Sequence, residues 1–324
     1  MKTISHNFPD LMEKLKSIKD PRSQHQYRID EIVFGAISMF LFKTGSRNNF
    51  ENFAKEGKFR KNFKKSFGIS LPGTDAVADI FKKLPEQELE SIKVSMVKSL
   101  LHNKIFHKYK GFGKFMIAID GTGIATFEKR HCDDCLYSES KGGKKTYSHK
   151  VLEAKLVTSN GFSISLCTVW IDNEDTNSGK YEKQGCERKA FVKLAEKLKT
   201  AFPRLPICLC VDGLYPNNTF FEICKKNNWD YIVTLKDGNL KGLWKKIRLK
   251  NRDCEPYNFT DTDNVLHEQK IQWINKQEHN EYCHNWIKCN EIQTKKDGDK
   301  SNFKFVYLTN IEINRENFKD VISA

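Results

Sequence analysis

The sequence contains no stretch of 18 or more apolar residues, and its longest apolar candidate, residues 32–42, is too short to span a bilayer. No apolar signal core follows the first six residues, so nothing in the sequence marks secretion. The ten cysteines are scattered, and several, such as Cys167 and Cys208, fall inside apolar runs where cysteine acts as a small hydrophobe. We therefore expect reduced thiols, a cytoplasmic location and no membrane partner.

The sequence also lacks a glycine-rich loop of the kind that cradles nucleotide phosphates. The segment Gly121-Thr122-Gly123 is too short for that pattern, because the third glycine and the following helix are missing. No Ser-His-Asp or Cys-His arrangement has local support, and nine histidines and ten cysteines make chance pairings common. Neither a site for ATP or NAD nor a nucleophilic triad is therefore indicated.

The 324 residues carry a net charge of +14, and this charge is concentrated near the N-terminus. Up to Lys114 there are 22 lysine and arginine residues against 12 aspartate and glutamate residues, which places +10 of the +14 in the first third. A region this basic is typical of proteins that meet nucleic acid or an anionic membrane. A lysine-rich surface that serves only solubility is the alternative.

Residues 1–110 are predicted to form this basic domain, and its pattern is helical throughout. Apolar residues recur at helical spacing between Ile29 and Leu41, and Pro85 begins a further helix. Between them, phenylalanines alternate with lysines, which we interpret as contacts to a DNA phosphate backbone: Lys61, Lys64 and Lys65. The alternative is a helix whose phenylalanines enter the core while its lysines face solvent.

Residues 111–240 are predicted to form the core of an α/β fold. Two short apolar runs, Phe115–Ile119 and Ile207–Val211, are typical of strands buried on both faces. Between them, Asn160-Gly161 predicts the turn of a hairpin. The resulting order of strand, two-stranded hairpin, helix, strand, helix and strand predicts a mixed sheet flanked by helices.

The composition of the sequence becomes more polar after Gly238. More polar strands over residues 241–302 predict a β-rich insertion, and an apolar strand then returns the chain to the core in residues 303–324.

Each of the two apolar runs ends in an acidic residue followed by glycine, Asp120-Gly121 and Asp212-Gly213. A carboxylate at the exit of a buried strand is costly unless it is paired or binds a metal. In so basic a chain, we interpret Asp120 and Asp212 as ligands of Mg²⁺, or of Mn²⁺, in a site that handles phosphate. An ordinary Asp-Gly turn is the alternative.

A second possible metal site is Cys132-Asp133-Asp134-Cys135, which has part of a zinc pattern. His131 precedes it and His149 follows the polar loop, but a second closely spaced pair of ligands is missing. Cys283-His284 is the remote candidate for that pair. A loop in which Cys132 and Cys135 are free thiols is the alternative.

An ordered series of short motifs resembles the DDE transposases of bacterial insertion sequences. No single motif is specific, but their order is, and the similarity runs from about residue 20 to the end of the chain. The matching stretches are Asp20–Arg22, Ala118–Gly123, Tyr147–Val157, Asn160–Phe162, Lys183–Glu187, Phe202–Pro206, Val211–Asn217, Thr234–Asn239 and Leu308–Asn310.

The resemblance implies a ribonuclease H-like core that cleaves and joins DNA strands during transposition. It implies that Asp120 and Asp212 are the first two catalytic acids, and it places Lys236 near the DNA path. It also implies double-stranded terminal repeats as the DNA partner, and a homo-oligomer assembled on them.

The family's third acid is a glutamate on a helix that follows the strand ending like Leu308-Thr309-Asn310. Since the chain stops at Ala324, we expect a C-terminally truncated copy whose activity is impaired. Glu312 and Glu316 are the nearest acids, but neither has the expected helical context. A non-catalytic DNA-binding fragment and a ribonuclease H-like nuclease are the alternatives.

Overall fold

The computed structural model describes residues 2–172 and 183–323, and the chain divides into two compact units. The first is Met1–Phe106 and the second is His107–Ala324. The division falls after Phe106, whereas the sequence analysis places it after residue 110.

The first unit is helical, as its periodicity predicts. The helix that the apolar pattern predicts is capped at its N-terminus. The Glu31 carboxylate accepts a hydrogen bond from the Arg28 backbone N–H at 3.0 Å. Glu31 also accepts the Ser70 N–H at 2.8 Å, which ties this helix to a later turn. The helices are α1 (Lys2–Asn7), α2 (Leu11–Lys16), α3 (Ile29–Leu41), α4 (Arg47–Lys55), α5 (Gly57–Phe67), α6 (Thr74–Phe81) and α7 (Glu86–His102).

The phenylalanines of α5 form part of the core of this unit, whereas its lysines face solvent. Phe63 is buried, and its ring centroid lies 6.3 Å from that of Phe34 on α3 and 4.8 Å from that of Phe67. The three lysines predicted to contact DNA are all exposed: Lys61, Lys64 and Lys65. The alternation is therefore that of an amphipathic helix, and contact between its lysines and DNA remains a prediction.

The second unit is a mixed α/β structure. It begins with a short 3₁₀ helix, His107–Tyr109. The strands are β1 (Phe115–Phe127), β2 (Leu136–Glu139), β3 (Lys145–Val157), β4 (Ser163–Trp170), β5 (Ile207–Val211), β6 (Asp230–Thr234), β7 (Asp253–Thr260), β8 (Leu266–His279), β9 (Tyr282–Thr294) and β10 (Lys300–Thr309). The helices are α8 (Lys183–Ala201), α9 (Asn218–Asn227), α10 (Lys241–Arg248) and α11 (Phe318–Ser323).

Within the described residues, these strands form one open and mostly antiparallel sheet flanked by helices. Its order is β2-β3-β1-β5-β6-β10-β9-β8-β7, and β4 also pairs with β3. Only the β1–β5 and β5–β6 pairs are parallel. α8 packs on β3 and β4, and α10 packs on β8. The prediction of a mixed sheet flanked by helices is confirmed.

Two predicted boundaries in this unit are wrong. β1 does not end at Asp120 but continues to Phe127, because its polar second half pairs with β3 as far as Tyr147. Residues 128–148 are rich in glycine, serine and lysine, a composition that predicts a polar excursion from the sheet, but they contain β2 and the start of β3. Neither segment alternates clearly between apolar and polar residues, so its pairing depends on its neighbour in the sheet.

The segment 241–302 contains a helix and strands that continue the same sheet. The connection is made by β10, whose Tyr307 lies opposite Thr234 of β6 while its other edge pairs with β9. The sequence predicts neither α10 nor β7. β7 is a half-exposed edge strand that contains Pro256, a residue that edge strands tolerate and central strands do not.

None of the helices described in either unit combines the length and the apolar character needed to cross a membrane.

A partly buried histidine of β8 leads to a pH-dependent prediction. His267 lies between two carboxylates, with Nδ1 2.9 Å from Glu291 Oε1 and Nε2 3.1 Å from Asp261 Oδ2. Desolvation lowers the pKa of this imidazole, but the two carboxylates outweigh it and raise the pKa above its ordinary value. Because the folded state favours the protonated ring, this stabilisation is complete below the ordinary histidine pKa and is lost as pH rises through the raised value.

We expect His267→Gln to lower the free energy of unfolding by about 1–2 kcal/mol near pH 6 and by clearly less near pH 9. All five tryptophans lie in the second unit, so the tryptophan fluorescence of the full chain during urea unfolding reports this change. A loss of the same size at both pH values would show that His267 stabilises the fold only through packing.

Candidate active site

The two predicted metal ligands lie at neighbouring positions on adjacent strands. β1 and β5 are parallel, and Ile119 lies opposite Val211 in their register. Asp120 and Asp212 are the next residues along the chain, and adjacent strands are separated by about 4.8 Å. Alternation along β1 places the Asp120 side chain on the face opposite that of the buried Ile119, and Asp212 follows directly after the last residue of β5.

A third carboxylate joins this row from the other side of β1. Glu153 of β3 lies directly opposite Asp120 in the antiparallel register, so both side chains project from the same face. Glu153, Asp120 and Asp212 therefore form a row across three adjacent strands, which we call the acidic row. The sequence analysis missed Glu153, because only the register of the strands, and no local pattern, places it beside Asp120.

Each acid of the row is held by a local partner. The backbone N–H of Gly121 donates to Asp120 Oδ1 at 2.8 Å, and that of Leu214 donates to Asp212 Oδ1 at 2.8 Å. Lys155 Nζ lies 3.0 Å from Glu153 Oε2. In the described part of the chain, the three acids do not form a group whose ligand oxygens lie within 4.8 Å of one another. The three acids are therefore neighbours by backbone position and not by the positions of their carboxylate oxygens.

Lys236 lies beside the row. Its Nζ is 3.5 Å from Asp212 Oδ2, in an ion pair whose side chains are 59% and 46% exposed. Its methylene groups cover Gly213, where an added Cβ would lie 2.8 Å from the Lys236 Cγ and Cδ atoms. An ion pair this exposed is weak, so a cation or a phosphate could displace one of its partners. Contact between Lys236 and DNA remains a prediction.

A buried acid of α8 lies against β1, the strand that carries Asp120. Glu187 of α8 is 4% exposed, is engaged in a polar interaction, and has its Oε1 atom 3.0 Å from the position that a Cβ on Gly121 would occupy. Gly121 is therefore needed for this close approach. Glu187 belongs to the motif Lys183–Glu187, whose first four side chains lie outside the described residues.

The two cysteines of the possible zinc pattern meet a histidine. Cys132 Sγ and Cys135 Sγ are 3.8 Å apart, and they lie 3.3 and 3.4 Å from His149 Nε2. Desolvation raises the pKa of the Cys135 thiol, but the backbone N–H groups of Cys132 and His131 contribute to an opposing effect that brings this pKa below its ordinary value.

The other predicted candidates for this site, His131 and the pair Cys283-His284, do not join the group that the described residues form. His131 stacks on Phe127, with ring centroids 4.7 Å apart. His284 is fully buried and its Nδ1 is 2.6 Å from the Tyr231 hydroxyl, while burial lowers its pKa to about 4. Among the residues that the structure describes, the group of potential ligands is therefore Cys132, Cys135 and His149.

Comparisons with known proteins add no assignment to this geometry. No family model matches the chain, and no curated protein sequence matches it.

Proposed function

We propose that this protein is a metal-dependent DNA strand-cleaving and strand-joining enzyme of the DDE transposase type, built on a ribonuclease H-like core. The observation that carries the proposal is the acidic row, in which Glu153 on β3, Asp120 on β1 and Asp212 directly after β5 occupy neighbouring backbone positions. Carboxylates at neighbouring backbone positions can turn toward a shared divalent cation, for which carboxylate oxygens are preferred ligands. The order of strand, hairpin, helix, strand, helix and strand also supports the proposed core.

The donor set of the row suits Mg²⁺ or Mn²⁺. All of its ligand atoms are carboxylate oxygens, which are the ligands that these hard cations prefer. Asp120 is central and can share an ion with either neighbour, whereas Asp212 and Glu153 lie on opposite sides of it. When bound, the metal supplies Lewis-acid stabilisation of the charge that develops during displacement at phosphorus.

The cations beside the row have a second role in this proposal. Lys155 and Lys236 neutralise Glu153 and Asp212 in the structure as it stands. With a metal bound to those carboxylates, the two ammonium groups would be available to contact the phosphates of a DNA strand. Both lysines would then position the substrate through its backbone and without reading its sequence.

The proposal is tested by incubating the full chain with supercoiled plasmid in the presence of Mg²⁺, Mn²⁺ or EDTA. We expect nicking with either metal and none with EDTA. Salt-sensitive DNA binding without any cleavage would instead favour the non-catalytic DNA-binding protein. Cleavage without transfer of an oligonucleotide 3′-end into plasmid would favour a nuclease over a transposase.

DNA binding by α5 leads to a separate prediction. We expect the triple replacement Lys61→Ala, Lys64→Ala and Lys65→Ala to weaken binding of duplex DNA about tenfold or more at physiological salt. We also expect it to reduce the slope of log affinity against log salt by about 2–3, because each phosphate contact contributes about 0.9. Fluorescence anisotropy over a salt series measures both quantities.

A matched control removes three exposed lysines from the β9–β10 turn region: Lys295, Lys296 and Lys300. Both triple variants lose the same net charge. Equal losses of affinity in the two would mean that binding depends on overall charge and not on α5.

A further inference from the structure

We propose that Cys132, Cys135 and His149 bind a zinc ion in a site separate from the acidic row. This site holds two sulfur donors and one imidazole nitrogen, whereas the row holds only oxygen donors. The two sites therefore select different metals, since thiolate and imidazole suit zinc and carboxylates suit magnesium.

The distances within the group match those around one tetrahedral ion. With Zn–S of about 2.3 Å and Zn–N of about 2.0 Å, two sulfurs are separated by about 3.8 Å and a sulfur and a nitrogen by about 3.5 Å. The observed separations are 3.8 Å between the sulfurs and 3.3 and 3.4 Å from each sulfur to His149 Nε2. An ion at the centre would thus fit without a large rearrangement.

Neither a disulfide nor a simple hydrogen bond fits these distances as well as a shared ion does. A disulfide requires its sulfurs to be about 2.05 Å apart, far closer than the 3.8 Å found between Cys132 and Cys135. A two-centre hydrogen bond would join Nε2 to one sulfur, yet Nε2 lies almost equally close to both sulfurs. A shared cation accounts for both contacts at once.

The fold holds each ligand in place. Arg130 shapes the loop that carries the cysteines, because its guanidinium donates to the Cys132 carbonyl at 3.1 Å and to the Asp133 carbonyl at 2.8 Å. His149 lies on β3, and its ring has edge-on contacts with Phe127 and Trp170 at centroid distances of 6.0 and 6.2 Å. Both anchors exist without the ion, so the ligands are already arranged for binding.

The site would fasten the connection between β1 and β2 onto β3. This connection is mostly exposed and has little apolar surface with which to hold itself in place. His149 precedes Glu153 by four residues on the same strand, which corresponds to about 13 Å. Within the described residues, Cys132, Cys135 and His149 would supply three of the four ligands of a tetrahedral zinc ion.

The test is the zinc content of the full chain, purified with a reductant and without chelators, measured by mass spectrometry of the metal. We expect about one zinc per chain, and a tenfold or greater loss in Cys132→Ala, Cys135→Ala and His149→Ala. His149→Cys should retain zinc, because it restores a donor. The matched control is Cys254→Ala with Cys283→Ala, which removes two exposed thiols and should leave the zinc content unchanged.

A second measurement keeps the proposal testable if a variant fails to fold. Co²⁺ added to the metal-free wild-type chain should produce a thiolate-to-cobalt charge-transfer absorption, which added Zn²⁺ abolishes. Zinc below about a tenth of an equivalent in the wild type, with no such absorption, would overturn the proposal. So would a zinc content that persists in folded Cys132→Ala.

Discussion

Replacing Asp120 by asparagine is expected to lower the rate of Mg²⁺-dependent DNA cleavage by about a thousandfold or more. Asp120 is the middle acid of the row, so its loss removes the one carboxylate that can share an ion with both Glu153 and Asp212. Asparagine keeps the oxygen that accepts the Gly121 N–H, and the position is exposed, so the fold should be unaffected. Plasmid nicking under single-turnover conditions measures the rate.

The matched control for this substitution is Glu268→Gln, which neutralises an exposed acid on β8 of the same sheet. It should cleave at the wild-type rate. Binding of Mn²⁺, followed by electron paramagnetic resonance, should weaken in Asp120→Asn and not in Glu268→Gln. If Asp120→Asn retained more than half of the wild-type cleavage, the acidic row could not be the catalytic centre.

Replacing Glu153 by glutamine is expected to reduce cleavage by about a hundredfold. The carboxylate lies opposite Asp120 and on the same face, which is the placement that a shared ion requires. Glutamine has nearly the same shape and can still accept a hydrogen bond from Lys155, so the loss should appear in cleavage and not in the thermal midpoint. This result would identify β3 as the source of the third acid.

Glu187→Gln provides the comparison that tests this assignment. We expect the cleavage rate of this variant to fall by less than about tenfold. The Glu187 carboxylate packs against Gly121, and alternation along β1 places Gly121 on the opposite face of the sheet from Asp120. A larger loss of cleavage rate in Glu187→Gln than in Glu153→Gln would assign the third metal ligand to α8 instead of β3.

The elements predicted well from the sequence are those whose signals are local. The apolar spacing between Ile29 and Leu41 is that of a helix with one buried face, and α3 covers the same residues. Asn160-Gly161 has the residue types of a tight turn, and β3 and β4 meet there. The continuous apolar run before Asp212 is that of a strand buried on both faces, and β5 is buried in this way.

The elements that the sequence analysis did not predict have weak local patterns of apolar and polar residues. β7 and the second half of β1 are polar, so only pairing with a neighbouring strand selects an extended backbone there. The same reasoning applies to the Phe–Lys alternation of α5. Its sequence is compatible with a core helix or an aromatic surface, and packing of Phe63 against Phe34 decided between them.

By itself, the sequence identified residues that could carry chemistry. These are the two acids at the ends of apolar strands and the two closely spaced cysteines. The tertiary structure alone decided their companions, because strand register is a long-range property that one-residue shifts would reverse. That register sets Glu153 opposite Asp120, which no spacing along the chain encodes. The pairing of β2 with β3 selects His149, among the histidines that the sequence offers, as the companion of Cys132 and Cys135. Both outcomes depend on which strands pair and how they align.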